Sequence, residues 1–246
     1  MGPNQLKNRG VNDFQYIDLV TAFFVTTLLL SNLLSSAKLV DTHLNLFGME
    51  LIFDGGLIIF PVCYIFSDIL TEVYGYGRSR RVIWLGFSSS LLLSFAVKIL
   101  GMLPGEANWS SAQGQQSYDM ILGGLSSGGI ILASMAAYLV GEFLNSYVLA
   151  KMKIFQKGKK MSLRFVSSTM VGQMVDTFLF FTIACFLGVF PWSVWLSLFL
   201  TNYFIKVGIE ILFLPLSCRT ANFLKKREHE DHYDRKTNFN PFFFQA

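Results

Sequence analysis

The chain has 246 residues, 52% of them apolar and only 15% charged, with 25 phenylalanines and a net charge of +4. Soluble domains carry about 25% charged residues, and a soluble fold of this length would have to hide more apolar surface than its core can hold. An ordinary water-soluble enzyme is excluded; the composition predicts an all-α polytopic membrane protein.

A membrane span needs about 20 mostly apolar residues. Six segments qualify: 16–37, 57–74, 81–103, 129–150, 165–190 and 194–217. The first follows a polar, charged stretch and is not trailed by a small-residue cleavage pattern, so it reads as a retained helix and not a signal peptide. The second, which includes FPVCYIFSDILTEVYGYG, is the shortest and most polar, and its Pro61 marks a kink or local unwinding. Lys98, near the end of the third, reads as a snorkelling side chain. The GGLSSGG ahead of the fourth reads as a flexible loop. Residues 1–217 thus form one transmembrane domain, and 218–246 a tail of mixed charge ending in an apolar FNPFFF. Where that tail docks is left open.

Of the 20 Lys and Arg, 17 fall in four segments that alternate along the six spans: the N-terminus (Lys7, Arg9), the loop after the second span, residues 151–164 and the tail. Acids occupy the opposite loops, at Asp41, Glu50, Asp54, Glu106 and Asp119. Basic loops stay in the cytoplasm, which puts both termini there. Arg78 and Arg81, following VYGYG, are expected to hold the second span to that face. The lysine-rich 151–164 reads as a topology determinant against anionic lipid and not as a nucleic-acid site.

Cys63, Cys185 and Cys218 lie in or beside apolar runs with no CxxC, which supports neither a disulfide framework nor a zinc site. The histidines, His43, His229 and His232, all lie outside the spans, which removes an intramembrane Ser–His dyad, haem ligation and His-based metal sites. No GxxxxGK[ST] is present, so the chain itself hydrolyses no ATP. An aspartyl dyad of Asp68 and Asp176 lacks its class signature, and the isolated charges do not form the repeated rings of a pore. Neither an enzyme nor a cofactor is expected.

Ionisable groups inside spans are costly and normally face a bundle interior or a wet cavity. Asp68, Glu142, Asp176 and Lys206 each stand roughly a dozen residues into their spans, near the bilayer centre. Asn32 on the first span lies nearer the outer surface. Asp68 and Glu72 share one helix face, as do Glu142 with Asn145 and Gln173 with Asp176. Lys206 and Glu210 are spaced to neutralise one another. A phrase repeats at a period of 31: Gly141-Glu142-Phe143-Leu144-Asn145-Ser146, then Gly172-Gln173-Met174-Val175-Asp176-Thr177. Cognate helices with matched polar groups at the midplane are how secondary transporters build a substrate site. Carboxylates and carboxamides one turn apart suit a planar heterocycle with donors and acceptors on its rim, with Phe60, Tyr64 or Phe143 as stacking face. The competing reading is that the same groups only hydrogen-bond helix to helix, in a receptor or assembly subunit.

The stretches FPVCYIFSDILTEVYGYGRSRRVIWLGF, ASMAAYLVGEFLNSYVLAKMK, STMVGQMVDTFLF and LKKREHEDHYDRKTNFNPF resemble the bacterial queuosine precursor transporters, also grouped as vitamin uptake transporters. The likeness runs from about Ser31 to Phe242. It implies a six-helix inner-membrane importer of 7-cyano-7-deazaguanine or 7-aminomethyl-7-deazaguanine. The implied architecture is similar to the vitamin-binding subunits of energy-coupling-factor transporters. The chain departs from the family in two places. Glu142 and Asn145 stand where Gly-Gln-x-x-Asp is usual, an exchange that would suit a cationic aminomethyl group, and Gly128-Gly129 replaces a common Pro-Arg.

The substrate site is therefore expected from Asn32, Phe60, Tyr64, Asp68, Glu142, Asn145, Gln173 and Asp176. Glu72, Lys206 and Glu210 are expected to form a charge network that changes between conformations, and Glu142 is the first candidate for a coupling proton. The expected partners are a small-molecule substrate and the lipid bilayer. An ATPase module is not evident, and homo-oligomerisation is left open.

Overall fold

The computed structural model describes residues 14–46, 49–126 and 128–243; Lys7, Arg9 and Ser127 lie outside them. The chain is an all-α bundle. Its helices are α1 (Ile17–Ala37), α2 (Phe60–Ile69), α3 (Tyr76–Met102), α4 (Ala107–Ser111), α5 (Gly114–Ser126), α6 (Gly128–Phe155), α7 (Met161–Phe186) and α8 (Trp195–Glu228). Among the described residues, five helical stretches are long and apolar enough to cross a membrane: Ile17–Ala37, Tyr76–Met102, Gly114–Phe155, Met161–Phe186 and Trp192–Glu228. Their outer faces carry Leu, Phe and Met in the open, as at Leu92, Phe95, Phe204 and Leu212, where lipid tails replace water.

The second expected span takes a different form. A 3-10 turn (Gly55–Ile58) leads into the ten-residue α2, which passes into a five-residue π-helix, Leu70–Tyr74. The ten residues of α2 and the five of the π-helix fall short of the ~20 residues of a single spanning α-helix. The segment is wrapped in protein, with every residue from Ser67 to Tyr76 buried. Such broken helices are tolerated at membrane depth because neighbouring helices satisfy the freed backbone. Pro61 does not kink α2 but begins it, in the first turn where its missing N–H is not needed. The π-helix ends at Gly75, whose φ of 86° is open to glycine and strained for other residues, and a Cβ there would also strike the His232 ring.

An antiparallel pair, β1 (Leu39–Leu46) and β2 (Met49–Asp54), connects α1 to this segment. It is a local hairpin in an expected loop and does not alter the helical class. GGLSSGG is no loop either: α5 runs through Gly123–Ser126 and α6 starts at Gly128.

Helices α6 and α7 form a hairpin whose crossing is set by the sequence repeat. A Cβ on Gly141 would lie 2.7 Å from the Asp176 Cβ, and one on Gly172 would lie 2.8 Å from the Asn145 Cβ. The repeat is thus a contact of the two copies, each glycine receiving the polar residue of the other. Small residues are what let membrane helices approach this closely.

The last helix runs eleven residues past the expected end of its span, to Glu228. Its Glu228 carboxylate accepts from the Gln15 and Tyr16 main-chain N–H groups at 3.0 and 2.8 Å, which satisfies donors at the start of α1. Residues 229–243 then turn back and lie along the bundle end. His232 N–H donates to Val73 O, and the Asp234 carboxylate accepts from Tyr76 N–H. Arg80, 1% exposed, donates to the carbonyls of Asn238 and Asn240. Trp84 Nε1 donates to Pro241 O, and Phe239 packs on Tyr76 and Tyr147.

Candidate functional site

A cavity of about 590 Å³ occupies the half of the bundle that carries the β-hairpin. That volume is in the range of small-molecule sites, which run from roughly 300 to 1,000 Å³. Ser35, Ser36, Phe53, Leu125 and Phe190 line it toward the hairpin; Tyr64, Glu142, Gln173, Asp176 and Lys206 line it at mid-bundle. The Tyr64 hydroxyl donates to Gln173 Oε1 at 2.8 Å. This commits the Gln173 acceptor, so what its amide offers a ligand is N–H donors. Ser67 Oγ donates to Glu142 Oε2 at 2.5 Å, which fixes that carboxylate on the cavity wall and leaves Oε1 as acceptor. Lys206 Nζ donates to Asp176 Oδ2 at 2.9 Å and stands 5.2 Å above the Phe60 ring. Phe60 and Tyr64 stack at 5.7 Å, with their planes 21° apart. The walls thus combine an aromatic surface, carboxylate acceptors and an amide donor around one apolar space.

Behind this wall lies a second polar group. Asn145 Nδ2 donates to Asp68 Oδ1 at 3.0 Å, and Glu210 of α8 interacts electrostatically with Asp68. All three side chains are buried and none of them lines the cavity.

At the opposite end of the bundle Glu72, in the π-helix, sits among three cations. Arg164 grips it with both arms, Nη2 to Oε1 at 2.6 Å and Nε to Oε2 at 2.7 Å. Lys225 Nζ pairs with Oε1, and Lys153 Nζ lies 3.6 Å from the same atom. Both lysines also hold Asp231 of the tail, at 2.6 and 2.7 Å. Burial would raise the Asp231 pKa; the two ammonium groups outweigh that and hold it below the ordinary aspartate range. Four elements and the returning tail are locked here in one ion cluster.

The profile of a family described as "Putative vitamin uptake transporter" matches residues 54–219, more than half of the chain. The chain belongs to this vitamin uptake transporter family. A protein of Bacillus subtilis named "Probable queuosine precursor transporter" is 35% identical over 161 residues, 65% of this chain and 68% of the relative. The "Queuosine precursor transporter" of Escherichia coli is 26% identical over 196 residues, 78% of this chain and 83% of its own. A Haemophilus influenzae protein also named "Probable queuosine precursor transporter" is 26% identical over 163 residues, 65% of each chain. No solved structure matches the chain.

Within this family member, the structure brings Asn32, Phe60, Tyr64, Glu142, Gln173 and Asp176 to one cavity. Asp68 and Asn145, expected beside them, are instead behind the wall, because their α2–α6 hydrogen bond turns them to each other. The expected network of Glu72, Lys206 and Glu210 does not exist as one unit. Lys206 pairs across helices with Asp176 and not with Glu210, while Glu72 belongs to the distant cluster. Arg78 does tie into the end of the π-helix, donating to Tyr74 O at 2.9 Å and covering the Phe14 ring. Arg81 is exposed, and the deep anchor is the neighbouring Arg80.

Sequence reasoning missed Arg164, Lys153 and Lys225 as partners of Glu72, since a basic residue at a span end reads first as a topology signal. It also missed Asn202, a buried cavity residue one turn before Lys206, whose spacing was visible.

Proposed function

We propose that this protein imports a queuosine precursor, a 7-deazaguanine base, across the cytoplasmic membrane. The observation that carries the reading is the pairing of Glu142 and Gln173 on one cavity wall beside the Phe60–Tyr64 stack. A guanine edge offers adjacent N–H donors and one carbonyl acceptor. A carboxylate such as Glu142 or Asp176 takes the donors, and the Gln173 amide serves the carbonyl. Asn32 would meet the far rim. The names of three relatives point to the same substrate class, and 7-cyano- and 7-aminomethyl-7-deazaguanine are its candidates.

The charge pattern supports an orientation with both termini and the Glu72 cluster in the cytoplasm and the β-hairpin outside. The cavity would then face outward while ion pairs and tail close the inner end, one of the two states of alternating access. The test is a thermal-shift titration of purified protein with both deazaguanines, guanine and folate, followed by uptake in cells unable to make queuosine precursors. A deazaguanine should raise Tm, and Glu142→Ala or Asp176→Ala should abolish that shift and the uptake. No shift with either deazaguanine, together with no uptake, would overturn the reading.

A further inference from the structure

Among the described residues, Asp68 Oδ2, Asn145 Oδ1 and both carboxylate oxygens of Glu210 are buried without a hydrogen-bond partner. Their side chains are 0%, 5% and 1% exposed and come from α2, α6 and α8. The one internal bond uses one N–H of the Asn145 amide as donor to Asp68 Oδ1, so a single amide N–H is left against four orphan acceptor oxygens. Buried acceptors with no donor are costly, and ionised carboxylates at membrane depth more so.

Among the described residues, the cations nearest the group are each engaged by another carboxylate. Glu142 of α6 lies within electrostatic reach of both carboxyl groups, and Tyr64 of α2 within reach of Glu210. Glu72 also reaches Asp68 but is neutralised by Arg164, Lys153 and Lys225. Lys206, one turn before Glu210 on α8, is bound to Asp176 of α7. Lys206 acts on Asp176 and Glu142, and among the described residues no cation forms an ion pair with Asp68 or Glu210.

We propose that Asp68 and Glu210 share an exchangeable proton, held against Asn145, whose uptake and release drive import of the base. An O–H on either carboxyl group adds a donor to a set in which acceptors outnumber donors and removes a charge from the membrane interior. Hard divalent cations take six to eight oxygen ligands. Four orphan oxygens do not meet that, and no group of three or more His, Cys, Asp or Glu suited to a metal occurs among the described residues.

The site is wired to the cavity through adjacent residues. Ser67, beside Asp68 on α2, donates to Glu142 Oε2, so a ligand drawing on Glu142 perturbs the helix that carries Asp68. Two residues on, the π-helix begins and leads to the Glu72 cluster at the far end. Per cycle, a proton would be taken from outside water onto a carboxylate oxygen and released to cytoplasmic water. This inference rests on the import reading but can be judged apart from it.

The experiment uses full-length protein in liposomes and two readouts. Infrared spectra at pH 7 in H2O and D2O need no ligand. A protonated-carboxyl C=O band that shifts on deuteration and vanishes in Glu210→Gln and in Asp68→Asn supports the site; absence of the band in wild type overturns it. The second readout is uptake of labelled 7-cyano-7-deazaguanine or 7-aminomethyl-7-deazaguanine. A one-unit pH gradient, acid outside, should raise wild-type accumulation about tenfold for one proton per base. Glu210→Gln should keep base counterflow yet lose that response. Accumulation that follows a Na+ gradient at fixed pH, or ignores the pH gradient while counterflow runs, overturns the coupling. Absence of any counterflow in wild type instead counts against the import reading, and the infrared band then decides the proton site by itself.

Discussion

A Cβ built on Gly141 would stand 2.7 Å from the Cβ of Asp176, a separation that no two packed side chains adopt. Gly172 meets Asn145 in the same way at 2.8 Å. The close crossing sets Glu142 of one helix and Gln173 of the other on a common cavity wall. Adding a methyl group at either glycine must therefore wedge α6 from α7. Gly172→Ala should cost about 1–3 kcal/mol, the usual range for overpacking, and lower Tm by roughly 2–4 °C for each kcal/mol. Gly208, in α8, has nothing within 4 Å of such a Cβ. Gly208→Ala should hold or raise Tm, since alanine favours helix by roughly 0.5–1 kcal/mol. Thermal unfolding in detergent checks both signs, and equal shifts would contradict the wedge.

Glu72 and Arg164 are each fully buried, and the two single substitutions should not be equivalent. Glu72→Gln leaves Arg164, Lys153 and Lys225 facing each other with only the half-exposed Asp231 to offset them. Arg164→Gln leaves Glu72 with two ammonium groups. Breaking a buried pair costs about 3–5 kcal/mol. Glu72→Gln should lie at or above the top of that range and Arg164→Gln below it. Unfolding midpoints ordered the other way would show that the lysines do not act on Glu72.

Much of this molecule could be read from its sequence because membrane burial leaves strong marks. Apolar runs announce the long helices, and the repeated Gly-(Glu/Gln)-x-x-(Asn/Asp)-(Ser/Thr) announces that α6 and α7 are cognate. Glu142 and Asp176 stand out by their depth, and Gln173 by sharing a helix face with Asp176 and by the repeat. Depth does not give the direction of a side chain around its helix. Asp68 and Asn145 stand at the right level and point to each other, and Lys206 spans to Asp176 although Glu210 is one turn away. The tail was illegible for another reason. Besides the side chains of Asp231, Asp234 and Phe239, it is anchored through backbone carbonyls, those of His232, Asn238, Asn240 and Pro241, and a carbonyl has no signature in sequence.

Asp231 sets the pH behaviour of that tail. Its docked pKa is lowered by Lys153 and Lys225 against the opposing effect of burial. A lowered pKa means that the ion pairs favour docking at every pH above the free aspartate value of about 3.9. The contribution fades only as pH falls through the lower, docked value. The Asp231 contribution to docking should thus be constant between pH 5.5 and 8, a window that begins about 1.6 units above 3.9. Tryptic cleavage at the exposed Arg235 and Lys236, normalised to a free tail peptide at each pH, should show no trend across that window. Asp231→Asn should be cut faster throughout. A severalfold rise in normalised wild-type cleavage on acidification to pH 5.5 would place control elsewhere.

Tyr64 offers the most direct test of how the cavity is poised. Its hydroxyl occupies Gln173 Oε1 at 2.8 Å, which presents the amide as a donor, while its ring stacks with Phe60. Tyr64→Phe keeps the ring and removes only the hydroxyl. Gln173 is then free to turn its oxygen toward the ligand, where it faces a base carbonyl and repels it. A hydrogen bond of this kind is worth about 1 kcal/mol, so deazaguanine affinity should fall roughly five- to tenfold. Stability should drop by a similar small amount. Tyr64→Ala also removes the stacking face and should reduce affinity much further. The ligand-induced Tm shift, titrated for wild type and both variants, reads out the order. Unchanged affinity in Tyr64→Phe would mean that the Gln173 amide is held by something other than this hydroxyl.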